Sequence, residues 1–165
     1  MKKYINNIAI IILSLVAANF SACDKDNNVD TTQPTISDAG NLTCPPNCYE
    51  CFRGETIEFC YTFSDDVELG NFNIEIHSNF DHHTHSTSSA DCDHHDDEEN
   101  EEHDTTNAWV YNQDFSIPSG LTSYTPNISI GIPLDIATGT YHFMIRLTDK
   151  VGWQQLKSIE IIVVE

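Results

Sequence analysis

Five stretches of this chain alternate apolar and polar residues with a period of two, and no stretch after residue 23 shows the 3.6-residue period of an amphipathic helix. In residues 55–63 (ETIEFCYTF) the side chains of Ile57, Phe59, Tyr61 and Phe63 share a face; in residues 71–77 (NFNIEIH) Phe72, Ile74 and Ile76 do. Residues 127–132 set Ile128, Ile130 and Ile132 together, residues 141–147 (YHFMIRL) set Tyr141, Phe143, Ile145 and Leu147 together, and residues 158–164 set Ile159, Ile161 and Val163 together. Successive side chains on a strand point to opposite faces, so the pattern predicts antiparallel strands with one face buried and one wet. Turn residues separate them at Asp65-Asp66, Gly70, Pro118 to Gly120, Pro133, Gly139 and Asp149 to Gly152. The expected class is all-β, a sandwich of about seven strands.

Residues 137–154 (ATGTYHFMIRLTDKVGWQ) resemble the penultimate strand and following turn of immunoglobulin-like bacterial surface domains, with Tyr141 where such folds place a corner tyrosine. The expectation sharpens to an immunoglobulin-like antiparallel β-sandwich over residues 34–165. A long insert, residues 79–106, interrupts it after the third strand. Seven of the eight histidines lie at positions 77–103, among a dense run of carboxylates. The insert has no apolar alternation, so it is expected to stay out of the core, and its acidic part is expected to be disordered through self-repulsion.

The strand faces turn this segment into a metal hypothesis. Even positions of 71–77 face inward, so His77 faces out at a strand end; odd positions of 141–147 face inward, so His142 faces out near a strand start. In an immunoglobulin-type sandwich these are antiparallel neighbours in one sheet, and directly opposed residues have Cβ atoms about 4.5–5.5 Å apart. Asp81, His82, His83 and His85 follow closely enough to fold back over that pair. Three or four imidazoles suit zinc, or copper or nickel, better than calcium, which prefers oxygen. Residues 92–104 (CDHHDDEENEEHD), with Cys92, His94, His95 and His103, fit a weaker secondary site that gathers divalent cations, or a solvated charged loop.

The amino terminus reads as an export signal. Lys2 and Lys3 precede an apolar run at residues 8–18, too short to span a bilayer of about 30 Å, and Ser21-Ala22-Cys23 follows as in a bacterial lipobox. Cys23 is the expected lipidation site, residues 1–22 the signal peptide, and residues 23–33 a flexible tether. With Lys2 and Lys3 removed, five basic residues face 26 acidic ones, a balance of −21 that disfavours nucleic acid and anionic surfaces. The membrane is then reached through the lipid alone.

Beyond Cys23 stand five cysteines, an odd number. In an oxidising compartment Cys44, Cys48, Cys51 and Cys60 are disulfide candidates, and Cys92 is the expected leftover thiol. Their C-x3-C-x2-C spacing also occurs in iron–sulfur enzymes, but an exported chain of this length favours disulfides.

Together, EFCYTFSDDVELGNFNIEIHSNFDHHTHS and YHFMIRLTDKVGWQ resemble a family of Bacteroidota lipoproteins of unknown function, with a lipobox, a short acidic tether, and an immunoglobulin-like domain bearing a His/Glu-rich insert. The resemblance implies an outer-membrane lipoprotein facing the cell surface or the periplasm. The expected function is capture or buffering of zinc or copper through surface histidines. The alternative is a structural or adhesive module binding protein or glycan, for which Trp109, Tyr111, Phe115, Tyr124 and Trp153 are the candidate aromatics. No nucleophile elbow, phosphate loop or H-E-x-x-H is present, so the expectation is not an enzyme.

Overall fold

Three of the alternating segments become long strands and set the frame for everything else. The computed structural model describes residues 29–38, 45–80, 92 and 105–165. Ten strands follow in chain order: β1 (Thr35–Ser37), β2 (Tyr49–Phe52), β3 (Thr56–Glu58), β4 (Thr62–Ser64), β5 (Leu69–Ser78), β6 (Tyr111–Ser116), β7 (Ser123–Tyr124), β8 (Ser129–Gly131), β9 (Gly139–Asp149) and β10 (Gln154–Val164). One 3-10 turn, Thr105–Asn107, precedes β6, and the described residues contain no α-helix.

One sheet has the order β2-β10-β9-β5-β6; the others are β1-β4-β7 and β3-β8. The inner face of the larger sheet carries the apolar sets predicted for β5, β9 and β10, all buried. Each such Ile, Leu or Phe contributes about 1.5–3 kcal/mol by leaving water. Phe59 and Phe63 meet Phe72 across the interior, with ring centroids 6.0 and 4.8 Å apart, so the smaller sheets form the opposing layer. The protein is an all-β sandwich.

The single strand expected at residues 55–63 is two, because the chain changes partners. β3 pairs with β8, Phe59 N–H donates to Ile128 O at 2.8 Å, and β4 then joins β1 and β7. Its inward set survives the switch: Ile57, Phe59, Tyr61 and Phe63 are all buried. β2 runs parallel to β10, an exception to the antiparallel expectation.

The insert does reach the core at its start, against expectation. Asn79 N–H donates to Thr140 O at 2.8 Å and extends the β5–β9 ladder by one bond. Phe80 then packs edge-on against Tyr141 at 5.3 Å and lies over Gly139. A Cβ on Gly139 would sit 2.8 Å from that ring, and the backbone there has φ of +131°, so glycine is required twice over.

The cysteine expectation needs correction. Cys92 is not the leftover thiol; it is bonded to Cys48, with Cα atoms 5.6 Å apart. Cys60 is disulfide-bonded too, to a partner outside the described residues. Cys51, expected to pair, is free. The reason is strand alternation: Cys51 points inward opposite Val163, whereas Cys48 sits before the strand in a turn with φ of 65°. Burial, helped by Glu55, pushes the Cys51 thiol up to about 11, so it stays neutral and inert.

Tyr141 bonds back to the chain just before its own strand. Its hydroxyl donates to Ala137 O at 2.7 Å and accepts from Trp109 N–H at 3.2 Å. Tyr141→Phe leaves the buried Trp109 amide and the half-buried Ala137 carbonyl without this partner, and urea unfolding should show a loss of about 1–3 kcal/mol. Cys51 should resist a maleimide at pH 8.5 in the native form and label once the chain is unfolded without reductant; native labelling would place the thiol nearer water. Its raised pKa also means the neutral thiol's contribution is complete below about pH 9 and is lost as pH climbs toward 11, so alkaline unfolding of Cys51→Ala should be flatter across that window.

Candidate metal centre

On the outer face of the larger sheet, three neighbouring strands bring polar residues into one row. β5 and β9 are antiparallel with His77 directly opposite His142. β9 and β10 set His142 opposite Glu160. The row reads His77, His142, Glu160. The two imidazole centroids are 5.4 Å apart with planes tilted by 58°. Two imidazoles on one tetrahedral Zn²⁺, with Zn–N about 2.0–2.1 Å, place their centroids roughly 5 Å apart, so the donor set fits that ion.

Glu75, two residues before His77 on the same face, puts Oε1 at 3.1 Å from His77 Nδ1. A carboxylate at that distance is placed as the backing partner of a metal-binding histidine commonly is, although the two atoms are not aligned as a hydrogen bond.

The row is roofed, although alternation alone would leave it wet. His142 is only 4% exposed and Glu160 9%. Among the described residues, the chain around Cys48 and Cys92 closes over Glu160. Glu160 O accepts from Cys48 N–H at 2.8 Å, Glu160 N–H donates to Asn47 Oδ1 at 2.8 Å, and Glu160 Oε2 accepts from Cys92 N–H at 3.2 Å. Asn79 Nδ2 donates to Glu160 Oε1 at 3.5 Å. The disulfide thus pins one residue of the histidine-rich insert directly above the predicted site.

Of the predicted ligands, His77 and His142 are brought together. Asp81, His82, His83, His85, His94, His95 and His103 lie outside the described residues, as do Cys23 and Cys44. Cys92 has no thiolate to offer, being in a disulfide. The residues missed were Glu160 and Asn47. Counting outward from the turn between Asp149 and Trp153 would have set Glu160 opposite His142.

The aromatic candidates mostly turn inward. Trp109 is buried against Tyr141, Phe115 stacks on Phe72 at 4.9 Å, and Tyr111 and Tyr124 are half-buried. Trp153 is 43% exposed and is the one of the five that faces water.

The family described as Domain of unknown function (DUF4625) matches residues 21–164. A comparison with curated proteins found no match.

The Cys48–Cys92 link closes a loop with a sequence separation of 44, which chain entropy values at about 4 kcal/mol. Cys48→Ser with Cys92→Ser should therefore lower the unfolding free energy by about 2–5 kcal/mol, and hydrogen exchange should show the amides of Cys48 and Glu160 losing protection. Protection unchanged at those amides would mean the roof is held by other contacts.

Proposed function

This chain belongs to the DUF4625 family, and we propose that it is a cell-envelope lipoprotein that captures or buffers a transition-metal ion, Zn²⁺ or Cu²⁺, on the outer face of its larger sheet. The observation that carries this reading is the register pairing of His77 with His142 at 5.4 Å between ring centroids. Two residues 65 positions apart share one sheet face, and Glu75 stands beside the first of them. His82, His83 and His85, only a few residues past His77, are the proposed further ligands. The acidic stretch beyond Cys92 is proposed to gather cations weakly for that site. Nickel is a poorer biological candidate but shares the donor preference.

Three features support the finer placement. The order of basic residues, short apolar run and Ser-Ala-Cys supports lipidation at Cys23 and export. The Tyr141 hydroxyl bond to Ala137 O supports an immunoglobulin-like reading of the sandwich, in the manner of the Bacteroidota lipoproteins the sequence resembles. Disulfide bonding at Cys48, Cys60 and Cys92 supports an oxidising compartment. The proposed role is binding, not catalysis.

The test is calorimetry on chelator-stripped mature chain purified without a nickel column. His77→Ala with His142→Ala should remove the tight Zn²⁺ site, a loss beyond the roughly 10–100-fold that an outer-shell partner alone would cost. Deletion of residues 93–104, which spares Cys92, should change the weak binding alone. Unchanged tight affinity and stoichiometry in the double variant would overturn the proposal.

A further inference from the structure

The opposite end of the same strands holds a second group of ligand atoms, built from oxygen alone. Asp30, Asp65 and Asp149 each offer a carboxylate oxygen, and these three atoms lie within 4.8 Å of one another. They come from distant parts of the chain: the segment before β1, the β4–β5 turn and the last residue of β9. Because β9 runs from His142 to Asp149, the group sits on the order of 23 Å from the histidine pair, at about 3.3 Å per residue.

In each residue one oxygen is already committed. Asp30 Oδ1 accepts from Thr32 N–H at 3.0 Å. Asp65 Oδ1 accepts from the N–H groups of Val67 and Glu68, both at 2.8 Å. Asp149 Oδ1 accepts from Val151, Gly152 and Trp153 at 2.9, 2.6 and 2.8 Å. The other oxygen of each, Oδ2, is buried and has no hydrogen-bond partner. Asp149 is 4% exposed and Asp30 9%, so two of the three side chains are more than nine-tenths buried.

Three carboxylates held this close repel one another, and a buried carboxylate oxygen without a partner is costly. None of the ion pairs among the described residues neutralises them; the nearby Lys150 ammonium instead lies 3.8 Å from Glu68 Oε1. The backbone turns fix where the Oδ2 atoms point, yet none of the described residues supplies a donor there. A cation would satisfy all three at once.

We infer that Asp30, Asp65 and Asp149 form a binding site for a hard divalent cation, Ca²⁺ by preference, which clips the segment before β1 onto the turn end of the sandwich. Oxygen-only ligands select hard ions, and oxygens on one Ca²⁺ at about 2.3–2.6 Å span up to about 5 Å, matching this cluster. Mg²⁺, at about 2.0–2.1 Å, spans less and keeps more of its waters. Trp153 guards the site: its indole N–H donates to Asp30 O at 3.2 Å while its backbone N–H holds Asp149. The ion would therefore fix the amino-terminal segment of the domain, independently of the histidine site.

Tb³⁺, a Ca²⁺ mimic whose emission is sensitised by nearby tryptophan, reads this site through Trp153, and a Trp153→Phe variant separates that signal from any that passes through Trp109. The mature chain should show saturable sensitised emission that Ca²⁺ displaces with an affinity on the order of 10⁻⁴–10⁻³ M. Asp30→Asn and Asp149→Asn keep the Oδ1 acceptors of their turns but lose a ligand charge, and each should weaken binding at least about tenfold. Trp153→Phe should remove the Trp153-dependent emission, and His77→Ala with His142→Ala should leave that component intact. Ca²⁺ should also raise exchange protection at the Thr32 amide. If Asp149→Asn does not fold, Asp30→Asn, outside every strand, decides alone. Absence of saturable emission, failure of about 10 mM Ca²⁺ to displace it, or unchanged affinity in Asp30→Asn would each overturn the inference.

Discussion

The pairing of β5 with β9 is the constraint from which the rest of this molecule follows. From Phe72↔Leu147 through His77↔His142 the two strands run in step, with an irregularity near Leu69 where Gly70 lies against the Asp149 carbonyl. A slip of one residue would send Phe72, Ile74 and Ile76 to water and His77 into the core, so the apolar face fixes the register with several side chains at once. Fixing that register also places His77 beside His142 at one end and Leu69 beside Asp149 at the other. Both candidate sites are consequences of one ladder.

The outer face of that ladder is where the chain departs from a simple half-wet sheet. Thr140, His142, Ser158 and Glu160 all point away from the core and yet are buried. Over Glu160 lies a roof tied down by covalent and polar bonds: the Cys48–Cys92 link, the Asn47 side chain, and two N–H groups directed at Glu160. Cys48 adopts a left-handed backbone with φ of 65° to complete it. A residue other than glycine holds such a conformation only where its surroundings over-determine it, which the disulfide and the bond to Glu160 O do here. A polar roof over imidazoles lowers the local dielectric without filling the space with hydrocarbon, and that strengthens any charge interaction beneath it.

The strands that alternate strictly were legible from sequence, and so was the face each side chain takes, which is why His77 and His142 could be brought together before any coordinates. β1, β2, β6 and β7 were not. β6 (YNQDFS) is an edge strand with only Tyr111 and Phe115 half-covered, and β2 (YECF) is four residues pairing parallel to a strand more than a hundred positions away. Short edge strands leave little periodic signal because little of them is buried. The cysteines misled for a related reason: Cys48 and Cys51 look equivalent in a string, but a turn and a half-strand between them send one outward and the other into the core. Asp30 carried no signal at all. It lies in a polar run that reads as tether, and its burial depends on Trp153, a residue 123 positions on.

The chemistry at the two ends differs in kind, and the difference follows from which groups strands and turns can present. A strand pair presents side chains at fixed spacing on a flat face, suited to imidazoles that need separation and a backing carboxylate such as Glu75. A turn presents backbone N–H groups that seize one carboxylate oxygen and aim the other, as at Asp65 and Asp149. Nitrogen donors therefore collect on the strand face, a donor set suited to borderline-soft ions, and oxygens collect at the turns, a set suited to hard ions. With a net charge of −19 the chain draws cations of every kind toward its surface. Sorting them requires ligand types kept apart, and here about seven residues of a single strand, from His142 to Asp149, keep them apart.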